Sequence, residues 1–284
     1  RMMQVEERLR ADIVEVGRRV YARGFVASND GNISVRLDDD RLLMTPTGVS
    51  KGFMTPDMMV TTDLAGRKLT GDREASSEIL MHLAVYEHRP EINAVVHAHP
   101  PTATGFAVAG IPLDRAVLAE VVTTLGSIPI ADYGTPSTAE LAEAVRHYIS
   151  AHDGLLLANH GALTVAQELF AAYYKMETVE HFARISLVAR QLGGERVLSR
   201  EEVNRLQSLR DRYGIAAPAP LCPPDQEAGD EVSCQAVDAP SSPDARLVTP
   251  APGPSAAALG LDDEVRLTYR ELTALIADAV NQFR

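Results

Sequence analysis

The sequence predicts an α/β fold, and three observations carry that reading. Short runs such as Ile33-Ser-Val-Arg-Leu37, Ala94-Val-Val96 and Leu155-Leu-Leu-Ala158 have the alternating or continuous apolar pattern of strands. They are interleaved with longer segments, at 5–22, 138–150 and 168–192, in which apolar residues recur every three or four positions, as on one face of a helix. With 284 residues, 45% of them apolar, the chain is long enough to bury a core between layers of both kinds, as one large or two small domains.

Taken in order, Leu9, Ile13, Val16 and Val20 place a helix over 5–22 that Gly24 is positioned to stop, with Gly17 tolerated inside it. Asn29-Asp-Gly-Asn32 turns the chain into the alternating strand 33–37. Asp38-Asp-Asp40 turns it back into a strand over 42–45, and Thr45-Pro-Thr-Gly-Val-Ser50 turns it again. Ser76-Ser-Glu78 precedes Ile79, Leu80, Leu83, Ala84 and Tyr86, so the two hydroxyls stand where helix N-cap residues belong. A strand through Val96 runs into Pro100-Pro101, which opens the next helix. A short strand over 127–131 and a helix over 138–150 follow. Strands 155–158 and 162–165 then flank the tight turn Asn159-His-Gly161. Gly193-Gly194 ends the long helix, and a capping box at Ser199 and Glu202 starts one more, to about Tyr213.

Beyond Tyr213 the composition changes. Nine of the 17 prolines fall between Ile215 and Gly260, mixed with Ala, Ser, Asp and Gly, so 214–262 reads as a flexible linker between a domain over 1–213 and a tail. In the tail, 263–284, Thr268 and Glu271 form a capping box. Leu272, Leu275, Ile276, Ala279, Val280 and Phe283 line one face of a short amphipathic helix.

A formal net charge of -12 disfavours nonspecific nucleic-acid binding and adhesion to anionic membranes, and no apolar run is long enough to span a bilayer. The protein is expected to be soluble and cytoplasmic. Its two cysteines, Cys222 and Cys234, lie in the linker, so any metal must be held by histidine and carboxylate.

The chemistry centres on His97 and His99. Positions i and i+2 of a strand share a face, and two imidazoles side by side before a double proline present two nitrogens to one metal ion. His160, at the tip of a tight turn between apolar strands, is the third candidate, and three imidazoles with an open position describe a catalytic rather than a closed metal site. The plainer alternative is a satisfied polar pair and a turn residue, and spacing alone leaves both open. His82, His88, His147, His152 and His181 sit on expected helix faces or ends, where core or solvated roles are the default. Glu78 is the obvious carboxylate. Its plain role is the favourable interaction of an acidic residue with a helix N-terminus, worth ~0.3–1 kcal/mol. Ser76 and Ser77, with Asn32 and Thr47-Gly48, offer hydroxyl, amide and backbone N–H donors suited to an anion such as phosphate, though turns and caps use such residues anyway.

Together these residues resemble the class II aldolase/adducin family, over about Leu9 to Tyr213. The landmarks Asp30-Gly-Asn-Ile-Ser34, Thr45-Pro-Thr-Gly48, Ser76-Ser-Glu78, Val96-His-Ala-His99, Tyr133-Gly-Thr135 and Asn159-His-Gly161 occur in the family's order. The resemblance implies an α/β/α sandwich around a mostly antiparallel central sheet and one Zn2+ per subunit, bound by His97, His99 and His160. Glu78 would ligate the resting metal and act as base. Gly31, Asn32, Thr47, Gly48, Ser76 and Ser77 would bind the substrate phosphate, and Tyr133 would be a proton donor reaching in from the neighbouring subunit of a homotetramer.

The activity so implied is cleavage of a ketose 1-phosphate, L-fuculose 1-phosphate or similar, to dihydroxyacetone phosphate and an aldehyde such as lactaldehyde. Metal-dependent decarboxylases of sugar-acid phosphates or aromatic acids share the site. The sugar-phosphate 4-epimerases of the family carry aspartate where Glu78 stands, and the adducin-type heads lack the metal set. The tail resembles the encapsulation peptides that bind microcompartment shell or cargo proteins, which implies a bacterial microcompartment lumen as a destination.

Overall fold

The computed structural model describes residues 2–212. The expected linker 214–262, the expected helix 263–284 and both cysteines lie outside the described residues. Helix α1 (Met2–Ala22) leads into the hairpin β1 (Asn32–Arg36) and β2 (Arg41–Met44). Two single-turn 3-10 helices, Lys51–Phe53 and Pro56–Met58, precede a second hairpin, β3 (Val60–Asp63) and β4 (Lys68–Thr70). Then come α2 (Ile79–His88), β5 (Ala94–Ala98), α3 (Pro101–Ala109), α4 (Ala119–Thr124), β6 (Ile130–Ala131) and α5 (Ala139–Ile149). The hairpin β7 (Gly154–Leu157) and β8 (Gly161–Ala166) and the helices α6 (Leu169–Gln191) and α7 (Arg200–Arg212) complete the described chain.

The strands form one eight-stranded sheet in the order β4-β3-β2-β1-β5-β8-β7-β6. Every neighbouring pair is antiparallel except β6 with β7. Side chains alternate across it as the period of two requires. On β5 and β8, Ala94, Val96, Ala98, Ala162 and Ala166 join a core with Ile13, Val16 and Val20 of α1, Phe106 of α3 and Tyr173 and Phe182 of α6. Val95, Leu163 and Val165 join a second core with Met81 and Val85 of α2 and Leu141, Val145 and Ile149 of α5. Helices cover both faces, so the expected α/β/α sandwich around a mostly antiparallel sheet is what the chain forms. Each Val, Leu, Ile, Phe or Met side chain so buried contributes roughly 1.5–3 kcal/mol of transfer free energy.

The elements absent from the sequence reading have weak local signals. All three residues of β4 are exposed, and β3 carries a single aliphatic residue, Val60, so the second hairpin shows no alternation. Helix α4, Ala-Glu-Val-Val-Thr-Thr, is rich in β-branched residues that disfavour helix. It is held by tertiary contact instead. Val122 packs on Val203 of α7, and the Arg210 guanidinium donates to the Thr123 carbonyl at 2.7 Å. The expected strand 127–131 shortens to Ile130–Ala131, preceded by Pro129, which has no N–H to give a ladder. The capping box of α7 forms as expected, with Ser199 N–H donating to Glu202 Oε2 at 2.8 Å and Glu202 N–H donating to Ser199 Oγ at 3.3 Å.

Candidate active site

Because Val95 faces α2 and α5, so does His97, and His99, just past the end of β5, stands beside it. The start of α2 and the β7–β8 turn bring Glu78 and His160 to the same place. His97 is buried, and its Nδ1–H donates to the Ala162 carbonyl of β8 at 2.9 Å, which leaves Nε2 as the free nitrogen. Its Nε2 lies 3.1 Å from His99 Nε2 and 3.3 Å from Glu78 Oε2, and Glu78 Oε1 lies 3.2 Å from His160 Nε2. The three imidazole rings stand 4.8 to 5.0 Å apart between centroids.

Backbone geometry fixes these positions. His99 N–H donates to the Phe25 carbonyl at 2.8 Å as β5 gives way to Pro100-Pro101. His160 follows Asn159, which is left-handed at φ 55°, a conformation Asn tolerates better than most residues. Gly161 starts β8 so close to β5 that a Cβ there would lie 2.6 Å from both the Ala98 carbonyl oxygen and His99 Cδ2. Glu78 occupies the N-cap position of α2 but makes no capping hydrogen bond. The serines expected as caps do other things. Ser76 Oγ accepts from the Glu78 N–H at 3.3 Å, and Ser77 Oγ accepts from Ser137 Oγ at 2.9 Å.

A carboxylate and three imidazoles with these separations fit a metal ion. Zinc bonds of about 2.0–2.1 Å in a tetrahedron put neighbouring donors about 3.4 Å apart, close to the 3.1 to 3.3 Å found. Two buried polar atoms in the cluster, Glu78 Oε1 and His160 Nδ1, have no hydrogen-bond partner. The 3.2 Å contact of Glu78 Oε1 with His160 Nε2 is a close approach without hydrogen-bond alignment. Burial pushes the Glu78 carboxyl up, but the neighbouring His97 and His160 imidazoles outweigh it and hold the group below the usual carboxylate range. Burial, then the neighbouring His97 and His160, push His99 down to about 4, so it is neutral and able to ligate near neutral pH.

Behind Glu78 runs a polar chain that includes a residue the sequence did not single out. Asn32 Nδ2 donates to Glu78 Oε2 at 2.7 Å, and Asn32 Oδ1 lies 2.5 Å from His82 Nε2. His82 Nδ1 lies 2.6 Å from Ser34 Oγ, which lies 2.8 Å from the Tyr86 hydroxyl. One proton arrangement satisfies the whole chain. Tyr86 donates to Ser34, Ser34 to a neutral His82, and His82 to the Asn32 carbonyl, which turns the Asn32 amide donor onto Glu78. Burial, then the neighbouring His97, pushes His82 down to about 3, consistent with that neutral form. The signal available in the sequence was its i,i+4 relation to Glu78, which puts both on one helix face.

In front of the cluster is a cleft of about 320 Å³. Gly31, Asn32, Thr47, Gly48, Ser76, Ser77, Glu78, His99 and His160 all line it, while His97 sits behind its wall. Gly31 has φ +74°, and a Cβ there would meet the His97 carbonyl oxygen at 2.8 Å. The turn at Thr47-Gly48 is joined to the serine segment by Thr47 N–H donating to the Glu74 carbonyl at 3.0 Å and Ser76 N–H donating to the Thr45 carbonyl at 3.1 Å. Lys51, Pro136 and Ser137 line the cleft without having been anticipated. Tyr133 is 60% exposed and takes no part in the wall.

Comparison with known proteins agrees with this geometry. Residues 11–187 match the family described as Class II Aldolase and Adducin N-terminal domain. The chain is 33% identical over 187 residues to 3-oxo-tetronate 4-phosphate decarboxylase of Pectobacterium atrosepticum, covering 64% of this chain and 85% of that protein. It is 34% identical over 181 residues to L-fuculose phosphate aldolase of Methanococcus maripaludis, covering 64% of this chain and 97% of that protein. The crystal structure of L-fuculose-1-phosphate aldolase from Thermus thermophilus superposes with a TM-score of 0.60 at 32% identity, covering 67% of this chain and 99% of the other. The family match spans the strands, turns and helix start that carry every histidine and carboxylate of the cluster, and the chain belongs to the class II aldolase and adducin N-terminal domain family.

Proposed function

We propose that the protein is a zinc-dependent aldolase that cleaves a ketose 1-phosphate, L-fuculose 1-phosphate or a similar sugar, to dihydroxyacetone phosphate and an aldehyde such as lactaldehyde. The observation that carries this reading is the convergence of Glu78, His97, His99 and His160 at metal-ligand separations beside a cleft lined by hydroxyls and turn backbone. His97, His99 and His160 would hold the zinc ion, with Glu78 as the fourth, exchangeable ligand. What zinc supplies when bound is Lewis acidity toward the carbonyl and adjacent hydroxyl oxygens of the sugar.

The chain's own residues do the rest. Gly31, Asn32, Thr47, Gly48, Ser76 and Ser77 grip the phosphate and hold the scissile bond in place. Glu78 exchanges the proton at the carbon that becomes nucleophilic, with Asn32 keeping its carboxylate oriented. Tyr133 of a neighbouring copy handles the proton on the departing aldehyde oxygen, a role suited to its exposed position in one chain. This makes a homotetramer part of the proposal. The tail 263–284 is proposed as an encapsulation helix. Fusing 260–284 to a fluorescent protein should give puncta in cells making microcompartment shells, and diffuse fluorescence there counts against it.

Decarboxylation is the second reading, favoured by relatives of that activity at the same level of identity as the aldolases. Both reactions leave negative charge on a carbon beside a carbonyl, so Glu78 and the histidines serve either. They differ in the departing group, because an aldehyde oxygen needs a proton partner and carbon dioxide does not. The test is a screen of the zinc-loaded chain with fuculose, rhamnulose and ribulose phosphates and with 3-oxo-tetronate 4-phosphate, reading dihydroxyacetone phosphate and carbon dioxide. Dihydroxyacetone phosphate from a ketose phosphate, lost in Tyr133→Phe, supports the aldolase. Carbon dioxide release that survives Tyr133→Phe replaces it with the decarboxylase.

A further inference from the structure

Lys51 is a buried cation in the wall of the cleft. Its residue is 2% exposed, and lysine is rarely that buried without an anionic partner. Its Nζ donates to two backbone carbonyls, Asn29 at 3.1 Å and Val49 at 2.7 Å, and it pairs with no carboxylate among the described residues. An ammonium has three donors, so one remains for a ligand. Burial pushes Lys51 down to about 8 against the opposing pull of Asp30 and Glu78.

Its placement is built rather than incidental. The carbonyls it holds belong to the two turns that carry Gly31 with Asn32 and Thr47 with Gly48, so one ammonium bridges both halves of the proposed anion grip. Its backbone is clamped onto α1 at Gly17, where a Cβ would lie 2.7 Å from the Lys51 carbonyl oxygen and 2.4 Å from Met54 Cε. That contact accounts for a glycine in the middle of α1. A staple between two turns needs only neutral donors. A full positive charge is needed where a dianion must enter a cleft that already holds Asp30 and Glu78, in a chain of net charge -12.

We propose that Lys51 is the charged ligand of the substrate's phosphoryl group and sets the cleft's preference for a phosphomonoester over a neutral sugar. This rests on the reading of the substrate as a phosphorylated sugar. The test uses the full-length, zinc-loaded chain and inorganic phosphate, measuring the dissociation constant by calorimetry and the melting temperature for wild type, Lys51→Met and Lys51→Arg. The expected result is about 10- to 100-fold weaker phosphate binding in Lys51→Met, partly restored in Lys51→Arg. Unchanged affinity in a folded Lys51→Met overturns the proposal while leaving the phosphorylated substrate in place. Absence of phosphate binding by wild type overturns both. If Lys51→Met does not fold, wild-type protein labelled with 15N at lysine Nζ answers the same question. Phosphate must shift the Lys51 resonance, assigned by its loss in Lys51→Arg, and an unmoved resonance at saturating phosphate overturns the proposal.

Discussion

The two ends of helix α2 carry two buried polar clusters with opposite character. At its C-terminal end Arg89 donates to Asp153 Oδ1 at 3.0 Å and to the Ile149 carbonyl at 3.0 Å, and Lys175 donates to Asp153 Oδ2 at 2.6 Å and to the Val165 carbonyl at 3.1 Å. Cations face a carboxylate, and both carboxylate oxygens are paired. At the N-terminal end, about 15 Å away by helix rise, three imidazoles crowd one carboxylate, and Glu78 Oε1 and His160 Nδ1 lack hydrogen bonds. Buried polar groups are normally satisfied. The Arg89 end obeys that rule and ties α2, α5, β8 and α6 together. The Glu78 end breaks it, and there His97 Nε2, His99 Nε2 and His160 Nε2 gather around the Glu78 carboxylate instead of around a cation.

The contrast can be broken by experiment, and the largest effect is expected at the unsatisfied end. Glu78→Gln should lower kcat by about 10²–10⁴ without lowering the melting temperature of the metal-free chain. A large loss of stability would instead make Glu78 a structural residue like Asp153. Next, Asp153→Ala should cost about 3–5 kcal/mol in denaturant unfolding, because it strands Arg89 and Lys175 in the interior. Zinc stoichiometry should stay unchanged, and loss of zinc would show that the two ends are coupled.

His82→Asn tests the polar chain between them. It should reduce activity about 10- to 100-fold by loosening Asn32 and Glu78. It should also alter the acid limb of stability. A histidine held near 3 in the fold, against 6.5 unperturbed, is neutral when folded and protonated when unfolded between those values. Its stabilising contribution is therefore complete above about pH 6.5 and is lost as pH falls toward 3, so the variant should unfold with a flatter dependence across that window. Smallest of all, Ser77→Ala should raise KM for a phosphorylated ketose a few-fold, the effect of about 0.5–1.5 kcal/mol from one hydrogen bond, and leave kcat unchanged.

Much of the site is legible in the sequence, because its signals are local. His97 and His99 share a face by strand periodicity, the double proline ends that strand, and Asn159-His-Gly161 is short enough to be nothing but a turn. The residues that support them are not legible there. His82 looks like any histidine on a helix, and becomes the link between Tyr86 and Asn32 only once β1 pairs with β5 and sets Asn32 opposite His97. Lys51 opens a single-turn 3-10 helix just past a turn and gives no hint of burial until α1 closes over it at Gly17. Ser76 and Ser77 carry an ordinary capping signal, overridden when Glu78 turns to the histidines. The hairpin of β3 and β4 has too little apolar alternation to show itself.

The sequence by itself therefore determined the alternation of helices and strands, the candidate metal-ligating residues and the turns around them, which follow from patterns within a few residues. Only the tertiary structure decided which segments meet, that Glu78 faces His97 and His160 rather than capping α2, and that His82 and Lys51 are buried against the site. Those outcomes depend on strand register and on burial between segments tens of residues apart, and no local pattern encodes either.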